Sequence, residues 1–392
     1  MFSSLPVIVI CEGLGGTGAV ANVAWQQVLR LSRQQSVCLI SDGLSYERQQ
    51  QLSTTQLCLR LRILTPPQLK VLRRFAHLPR QLAWILLALR AAQQELQGTR
   101  AAVICHSHPL AAAVAWRFGR RIRLIMVSHG DIFYRPPGSY DPSIAWLYRR
   151  TTAYAHRRAA VSVALSPVML KRIQAHGVPP ERVALVPNGI DPDEIGLNNP
   201  MPTTLGHWKE WPLRLLFVGR LDPVKGVDVL LESMALAKEA GLELQLDIVG
   251  TGSISEQHRL QALSVQLSIF KNVHWHGNQP RSSLASFYRR SHVVVVPSLD
   301  DPLPTVVLES MASGRPVVGS AVGGIGYLVR DGVSGILVPP SQPHALADVF
   351  ASLDQDRLGT SALGQAALER SSNFSWAANV EAIKALITET DR

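Results

Sequence analysis

The chain has 392 residues, of which 46% are hydrophobic, and it carries a formal net charge of +10. This length and composition predict about two to three domains with ample core. The charge is uneven, because residues 1–200 carry a net +13 and residues 201–392 a net −3. A basic half indicates an anionic partner, either a membrane surface or a phosphorylated or acidic acceptor. Nucleic acid is disfavoured as a partner, since the basic residues are spread out and little interleaved with aromatic ones.

Two features of the sequence bear on location. No apolar run has the length of a membrane-spanning helix, and the N-terminus lacks the basic region of a signal peptide. The four cysteines have no metal-type spacing, and we expect reduced thiols, mostly in the core, at Cys11, Cys38, Cys58 and Cys105. These features predict a cytoplasmic protein. Peripheral contact with the anionic inner face of the plasma membrane stays open as an addition.

The N-terminal stretch predicts a βαβ unit. Residues 6–11 (PVIVIC) form a buried strand, followed by a Gly-rich loop, a helix over about residues 20–31 and a second strand. Gly15 and Gly16 lie at the strand–helix turn, where backbone N–H groups can contact a phosphate or a sugar. The alternative is a tight turn that needs glycine for a positive φ. Asp42 lies near the position of a ribose-binding acid, so a nicotinamide-dependent oxidoreductase also stays open.

Residues 60–90 form a basic segment with apolar residues at helical spacing. The pattern fits an amphipathic surface that contacts anionic lipid. It fits equally well a pair of helices that pack in the core and expose their arginines. Prolines at positions 66, 67 and 79 argue against one long interfacial helix.

Histidines follow two further predicted strands. Residues 101–105 lead into His106 and His108, and residues 124–127 lead into His129. A metal at the first pair is disfavoured, because no third ligand is near in sequence. His129 lies where ligands bind in parallel sheets, at the carboxyl end of a strand. A ligand contact and a structural role both stay open for His129.

A polar stretch over residues 196–212, rich in Pro, Asn and Thr, predicts a linker between domains. A second strand series begins at residue 213. Its first strand leads into a turn that holds Arg220 and Lys225 ahead of a helix. Two cations so placed predict a diphosphate clamp, with two solvated loop charges as the alternative. Near the end of the series, residues 331–340 predict a short hairpin.

Residues 292–326 hold the clearest site pattern. A run of four valines predicts a strand buried on both faces, and a helix is predicted to begin at Thr305, which is a good N-cap. Asp301 in the intervening loop and Glu309 one turn into the helix should both face the carboxyl edge of the sheet. Free backbone N–H groups at the start of that helix suit a phosphate. These residues predict a ligand that has both hydroxyls and phosphates.

The pattern as a whole resembles the retaining glycosyltransferases of family four (glycosyl transferases group 1), which have the GT-B fold. The motifs that carry the resemblance are FVGRLDPVKGVDVLL, VPNGID, LDIVGTG and, above all, VPSLDDPLPTVVLESMASGRPVVGSAVGGIGYLVRDGVSGILVPP. The resemblance implies an α/β chain with two Rossmann-like doubly wound domains that face each other across a cleft. It implies an acceptor-side domain over residues 1–195, a linker over 196–212, a nucleotide-sugar-binding domain over 213–374, and a helix over 375–392 that crosses back to the first domain.

The resemblance also implies roles for residues at matched positions. Arg220 and Lys225 match the residues that bind the donor diphosphate, and Glu309 matches the one that binds the nucleotide ribose. Asp301 stands where the family usually has a Glu that contacts the donor sugar, so the identity of the sugar stays open. The implied catalytic residues are His129, Arg220, Lys225, Asp301 and Glu309. The implied donor-binding residues are Gly15, Gly16, Gly219, Arg220, Lys225, Gly250, Asp301, Leu303, Thr305, Val306 and Glu309.

The implied reaction is transfer of a hexose-type sugar from a nucleotide diphosphate sugar to an acceptor hydroxyl. It proceeds with retention, without a metal and without a protein nucleophile, and no cofactor is expected beyond the donor substrate. The expected acceptor is a carbohydrate or a lipid-linked molecule used to make an envelope or surface polysaccharide, lipopolysaccharide or glycolipid. The oxidoreductase, and a non-catalytic relative that binds sugar nucleotides, are the alternatives.

Overall fold

The computed structural model describes residues 5–16, 18–54, 57–65, 77–130, 142–197 and 212–388. The chain divides into two compact units. The first unit comprises Met1–Asn188 with Trp376–Arg392, and the second comprises Gly189–Ser375. Each unit is an α/β structure built on one parallel sheet. The predicted fold class, with two Rossmann-like α/β domains, is therefore confirmed.

The first unit is built on a seven-stranded sheet. Its strands are β1 (Val7–Cys11), β2 (Val37–Ser41), β3 (Leu59–Ile63), β4 (Ala101–Cys105), β5 (Ile122–Val127), β6 (Val161–Ala164) and β7 (Val183–Leu185). They follow the order β3-β2-β1-β4-β5-β6-β7, and all neighbours are parallel. β1, β2 and β4 are buried throughout, as expected for strands covered on both faces.

Helices cover this sheet. They are α1 (Ala19–Ser32), α2 (Tyr46–Thr54), α3 (His77–Leu96), α4 (His108–Phe118), α5 (Pro142–Arg158), α6 (Pro167–Ala175) and, from the end of the chain, α14 (Trp376–Thr388). The buried residues of α3, α4 and α5 form one apolar cluster with the strands, to which α3 contributes Trp84 and Ala88.

The last helix, α14, is held to the first unit by polar contacts. Gln27 Nε2 of α1 donates to Asn379 Oδ1 at 3.0 Å, and Asn379 Nδ2 donates to the Pro187 carbonyl at 2.7 Å. Arg123 Nε donates to the Leu386 carbonyl at 2.7 Å. Buried hydrogen bonds of this kind fix the orientation of the helix on the sheet.

The second unit is built on a six-stranded sheet. Its strands are β8 (Leu213–Val218), β9 (Leu244–Val249), β10 (Val273–Trp275), β11 (Val293–Val296), β12 (Val317–Ser320) and β13 (Gly335–Val338). They follow the order β10-β9-β8-β11-β12-β13, and all neighbours are parallel. The helices are α7 (Val227–Glu239), α8 (Ile254–Gln266), α9 (Leu284–Arg290), α10 (Thr305–Ala312), α11 (Ile325–Leu328), α12 (Pro343–Gln355) and α13 (Arg357–Ser371).

The segment over residues 60–90 begins with a strand, which neither helical interpretation included. It begins in β3, which pairs with β2 at the edge of the sheet, and it ends in α3. Leucine and isoleucine at positions 59, 61 and 63 alternate with arginine at 60 and 62, which is the period of a strand. Residues 66–76 lie outside the described residues. Just before β3, Cys58 is exposed, whereas Cys11, Cys38 and Cys105 are buried.

The hairpin predicted over residues 331–340 is wrong. Gly332, with φ +68°, closes a tight turn in which its N–H donates to the Gly335 carbonyl at 2.9 Å. The turn uses the residues that would have formed the first arm of a hairpin. The strand that remains, β13, pairs parallel to β12 instead.

The division between the units also differs from the predicted one at residue 195. Residues 189–195 belong to the second unit. The Ile190 N–H donates to the Phe374 carbonyl at 2.8 Å, and Arg289 Nη2 donates to the Gly196 carbonyl at 2.6 Å. These bonds attach the segment to α9 and to the end of the second unit. Most of the predicted linker, residues 198–211, lies outside the described residues.

Gly250 should tolerate no side chain, because β9 ends against the end of β8. Its φ is +136°, and a Cβ would lie 1.9 Å from the Gly219 carbonyl oxygen. We expect Gly250→Ala to lower the free energy of unfolding by about 2–4 kcal/mol, from backbone strain and overpacking together. Gly241→Ala is the matched control, since φ is +87° there and nothing lies within 4 Å. Urea unfolding that gave equal losses for the two variants would contradict the steric explanation.

Candidate functional site

Two cations stand at the carboxyl edge of the second sheet. Arg220 follows β8, and Lys225 ends a short helical turn over Pro223–Lys225. Asp222 caps that turn by accepting from the Val224 N–H at 3.1 Å. It also accepts from Arg220 Nη1 at 3.3 Å. The local sequence therefore sets the loop by a side-chain cap, and Arg220 stays largely exposed, at 68% of its side chain.

The loop after β8 is fixed to the loop after β11. The Leu299 N–H donates to the Val224 carbonyl at 2.8 Å. A Cβ at Gly226 would lie 2.2 Å from the Pro297 carbonyl oxygen, so glycine allows the close approach there. As a result the Lys225 ammonium forms an ion pair with the Asp301 carboxylate. The structure thus brings together two of the predicted site residues, which lie 76 positions apart in sequence.

Asp301 is a buried carboxylate, with 7% of its side chain exposed. Burial raises its pKa, and the charge of Lys225 opposes that rise. Its backbone is also enclosed, because a Cβ at Gly323 would lie 1.9 Å from the Asp301 carbonyl oxygen. The Gly324 N–H donates to the same carbonyl at 2.8 Å.

Glu309 is held by two residues that sequence reasoning missed. Tyr288 in α9 donates its hydroxyl hydrogen to Glu309 Oε2 at 2.8 Å. Arg281, in the turn before α9, pairs with Oε1 at 3.0 Å. Burial and the neighbouring Glu309 charge raise the pKa of Tyr288 well above its usual value, so the tyrosine stays a neutral donor. The carboxylate is fixed in orientation, with lone pairs left over for a ligand.

Removing the Tyr288 hydroxyl should destabilise the second unit. We expect Tyr288→Phe to lower the free energy of unfolding by about 1.5–3 kcal/mol, because a buried charge loses a hydrogen bond. Tyr327→Phe is the control, since its ring packs edge-on against Phe374 and its hydrogen bond from Arg370 Nη2 goes to the backbone carbonyl, which the substitution keeps. A urea titration in which Tyr288→Phe matched the control would mean that the bond contributes little.

The start of α10 has no side-chain cap. Thr305 is the first helical residue, not the N-cap as predicted, and Pro304 occupies the cap position. Thr305 and Val306 are half-buried at this end, and Leu303 is buried beneath it. The first backbone N–H groups of a helix lack partners within the helix, so this end can bind an anion.

In the first unit the predicted glycines form part of a braced loop. Gly13 has the positive φ, +84°, and neither Gly15 nor Gly16 does. Asp42 Oδ1 accepts from the Gly13 N–H at 2.7 Å. The turn explanation therefore applies to Gly13, whereas the site of Gly15 is open, with nothing within 4 Å of the place of a Cβ.

His129 lies at the end of β5 in a cluster of histidines. Its Nε2 lies 2.8 Å from His106 Nδ1, and the two ring planes are inclined by 23° with their centroids 5.1 Å apart. His108 Nε2 lies 3.0 Å from Ser128 Oγ. Burial lowers the pKa of His129 well below its usual value, and the pKa of His106 to about 3. Among the described residues no group of three or more His, Cys, Asp or Glu is placed to hold a metal ion.

Two family models match successive parts of the chain. The one described as Glycosyltransferase Family 4 matches residues 20–194, and the one described as Glycosyl transferases group 1 matches residues 207–370. The chain therefore belongs to the group 1 glycosyl transferases, as the sequence motifs predicted.

Particular relatives cover different shares of the chain. The D-inositol 3-phosphate glycosyltransferase of Corynebacterium glutamicum (strain R) is 30% identical over 219 residues, which is 54% of this chain and 52% of that protein. The chain spans about half the length of the curated relatives that it matches.

Solved structures share the fold over nearly the whole chain. Anabaena HepE, in complex with UDP and glucose, superposes with a TM-score of 0.78 at 17% identity, covering 98% of this chain and 100% of that one. WaaG, described as a glycosyltransferase involved in lipopolysaccharide biosynthesis, superposes with a TM-score of 0.72 at 17% identity, covering 98% of this chain and 100% of that one. At such identities the likeness shows the fold alone, which is GT-B.

Proposed function

We propose that this chain moves a hexose-type sugar from a nucleotide diphosphate sugar to an acceptor hydroxyl, with retention and without a metal ion. One observation carries the proposal. A group 1 glycosyl transferase holds the cations Arg220 and Lys225 and the carboxylates Asp301 and Glu309 at the carboxyl edge of one parallel sheet. Ligands of such sheets bind at that edge, and these groups complement both phosphates and hydroxyls.

The first requirement of the reaction is to stabilise the negative charge of the leaving group. Breaking the anomeric bond produces an oxocarbenium-like centre and a nucleoside diphosphate. Arg220 and Lys225 supply positive charge for the diphosphate, and the uncapped start of α10 supplies backbone N–H groups. Fixed charges of this kind stabilise the departing diphosphate without reorganisation, so the proposal needs no metal ion. In the proposed reaction the acceptor hydroxyl attacks from the face that the diphosphate leaves, and its proton passes to the departing diphosphate. Retention therefore needs no protein nucleophile.

The two carboxylates recognise hydroxyls in this proposal. Glu309 is fixed by Tyr288 and Arg281, and its remaining lone pairs accept from the ribose hydroxyls. Asp301 contacts the donor sugar, with a side chain one methylene shorter than the usual Glu. The site residues of the first unit, Gly15, Gly16 and His129, are proposed to act on the reacting sugar and acceptor.

We propose an acceptor that carries negative charge. The support is the net +13 of residues 1–200 and the name of the Corynebacterium relative, which specifies a phosphorylated polyol. A lipid-linked envelope carbohydrate is the second acceptor class, supported by the likeness to WaaG. Basic surfaces attract both classes of anion, so the acceptor must be decided by assay.

A donor panel tests the proposal. Purified protein is mixed with UDP-, GDP- and ADP-sugars, and thermal stabilisation and donor hydrolysis are measured. A ligand at a hundred times its dissociation constant should add about 2.7 kcal/mol of stability. The best donor is then assayed with D-inositol 3-phosphate and with a lipid-linked saccharide, and anomeric configuration is read by NMR. Stabilisation without hydrolysis or transfer to any acceptor would favour the non-catalytic relative.

The oxidoreductase alternative needs Asp42 as a ribose ligand. One oxygen of that carboxylate already accepts from the Gly13 N–H, so the residue acts as a brace of the loop. Titration with reduced nicotinamide cofactor separates the two functions. We expect no change in cofactor fluorescence. A saturable increase in that fluorescence would support the oxidoreductase instead.

We propose in addition that the first unit contacts an anionic bilayer through the α3–α5 surface, defined as Leu82, Leu86, Trp146 and Leu147. These side chains are 56%, 67%, 58% and 45% exposed, respectively. Tyr148 of α5 donates its hydroxyl hydrogen to Gln81 of α3 at 2.8 Å, which joins the helices.

The same two helices carry exposed arginines. Arg80, Arg149 and Arg150 are exposed, and Arg150 lies 4.9 Å above the Trp146 ring. Leucine, tryptophan and arginine together suit the headgroup region of an anionic membrane. Within the described residues, no helix is both long and apolar enough to cross a bilayer.

Vesicle sedimentation tests the membrane contact. We expect binding to vesicles that contain phosphatidylglycerol, with weakening by added salt, and little binding to phosphatidylcholine alone. Leu82→Gln with Leu86→Gln should reduce binding. Trp116→Gln is the control, because Trp116 is 75% exposed in the last turn of α4, shortly before β5 begins, whereas Leu82 and Leu86 lie in the first half of α3. Equal loss in the control would refute the location.

A further inference from the structure

The carboxyl ends of β4, β5 and β6 are bordered by four histidines, of which the proposed reaction uses one, His129. His106 contacts His129, His108 contacts Ser128, and His156 Nδ1 lies 2.9 Å from Ser162 Oγ. Burial lowers the pKa of His106 and His156 to about 3 and that of His108 to about 4. All four rings are therefore neutral near pH 7, and each has one N–H and one bare nitrogen.

The 2.8 Å contact between His106 and His129 restricts where the hydrogens lie. Two neutral imidazoles at this distance share one hydrogen, so one ring donates and the other accepts. If His106 Nδ1–H donates, His129 must carry its hydrogen on Nδ1. If His129 Nε2–H donates, His106 must carry its hydrogen on Nε2.

The buried end of His106 distinguishes these arrangements. His106 is 94% buried, being 6% exposed, and its Nε2 has no hydrogen-bond partner among the described residues. The second arrangement would leave a buried N–H unpaired. Buried N–H groups without a partner are rarer than under-satisfied buried acceptors. The first arrangement leaves only a bare nitrogen there and is favoured.

We infer that His106 is a positioning residue that fixes His129 as the neutral tautomer with its hydrogen on Nδ1. His129 is half-buried, and its Nδ1 has no partner within the described part of the chain. The histidine therefore offers an N–H donor to an oxygen of a bound substrate, and that nitrogen cannot accept the proton of an acceptor hydroxyl. The catalytic meaning of this tautomer rests on the proposed glycosyl transfer, whereas the tautomer itself does not.

Nitrogen-15 NMR of histidine-labelled full-length protein at pH 7 tests the tautomer directly. We expect the His129 spectrum of a protonated Nδ1 and a bare Nε2, assigned with a His129→Gln variant. His106→Leu should shift His129 toward the Nε2–H form that free histidine prefers. His106→Asn should retain the wild-type pattern, because the Asn amide nitrogen takes the place of Nδ1. A wild-type His129 with its hydrogen on Nε2, or a tautomer unchanged in His106→Leu, overturns the inference.

Turnover separates this inference from the proposed function. With the best donor and acceptor, His106→Leu should lower kcat by about 10- to 10²-fold with little change in KM for the donor, and His106→Asn should restore most of it. His156→Leu is the matched control, because it removes a ring that is 1% exposed and bonds Ser162, not His129. Equal kcat losses in His106→Leu and His156→Leu, without rescue by Asn, would reduce His106 to a structural residue. No turnover by wild-type protein, with the expected NMR pattern, would instead refute the proposed function alone.

Discussion

Replacing Arg220 with alanine should lower kcat for glycosyl transfer by ~10²–10³-fold, the usual cost of removing one group that stabilises developing charge. The expected loss follows from the position of the guanidinium after β8, beside the Lys225–Asp301 pair. Stability should change by less than about 0.5 kcal/mol, because 68% of the side chain is exposed and its contact is a single bond to Asp222. Steady-state kinetics and urea unfolding on the same preparations measure both quantities.

Two variants make this result specific. Arg220→Lys keeps the charge but loses the planar fork, so it should recover only part of the activity. Arg259→Ala removes an arginine of the same unit that is 45% exposed and pairs with Asp228 and Glu256. It should leave kcat unchanged. A kcat within twofold of wild type in Arg220→Ala would remove the diphosphate clamp from the mechanism.

Replacing Lys225 with methionine should lower the free energy of unfolding by about 3–5 kcal/mol, because it leaves the buried Asp301 carboxylate without its cation. Asp301→Asn should cost less, since Lys225 is 23% exposed and can turn to solvent. The double variant Lys225→Met/Asp301→Asn should recover most of the loss. If the double variant were as unstable as Lys225→Met alone, the unpaired charge would not be the cause.

The same variant should alter the dependence of stability on pH. Burial raises the pKa of Asp301, and removing Lys225 should raise it further. For a carboxyl group whose folded pKa is raised, stability is greatest below the ordinary pKa and falls as pH rises toward the raised value. Lys225→Met should therefore lose stability more steeply than wild type as the pH rises above the ordinary aspartate pKa of about 4. Urea unfolding at a series of pH values measures this slope.

Strands were predictable because their signal is local. The apolar runs of β1, β2 and β4 indicated strands, and the four valines of β11 indicated a strand buried on both faces. β3 was not predicted, because its arginines alternate with apolar residues in a segment where apolar residues also recur at helical spacing. The turn around Gly332 could not be foreseen either, since the same residues suit a hairpin or a strand preceded by a turn.

The contacts of the site were less predictable than its residues. Lys225 and Asp301 were both predicted as site residues, but their pairing depends on the close approach at Gly226. Tyr288 and Arg281 were missed, because nothing in their local sequence differs from an ordinary helix and turn. Their role arises only when packing places them beside Glu309.

The contact between His106 and His129 could have been predicted from the positions of the two histidines after β4 and β5. His106 follows β4 by one residue and His129 follows β5 by two, and these strands are neighbours in register at Cys105 and Met126. Adjacent parallel strands end side by side, so the two rings could have been expected to meet. The direction of the hydrogen between them could not, because it depends on the burial of His106 Nε2.

Arg48 fixes the orientation of backbone peptide groups in the Gly-rich loop. Its guanidinium donates to the carbonyl oxygens of Leu14 and Gly16, so both oxygens turn toward a buried cation. In a trans peptide the amide hydrogen points opposite to the carbonyl, and no cis peptide occurs in the described ranges. The Gly15 N–H therefore points away from Arg48. A residue more than thirty positions downstream thus orients the Leu14–Gly15 peptide, and a change at position 48 would release that peptide without touching a glycine.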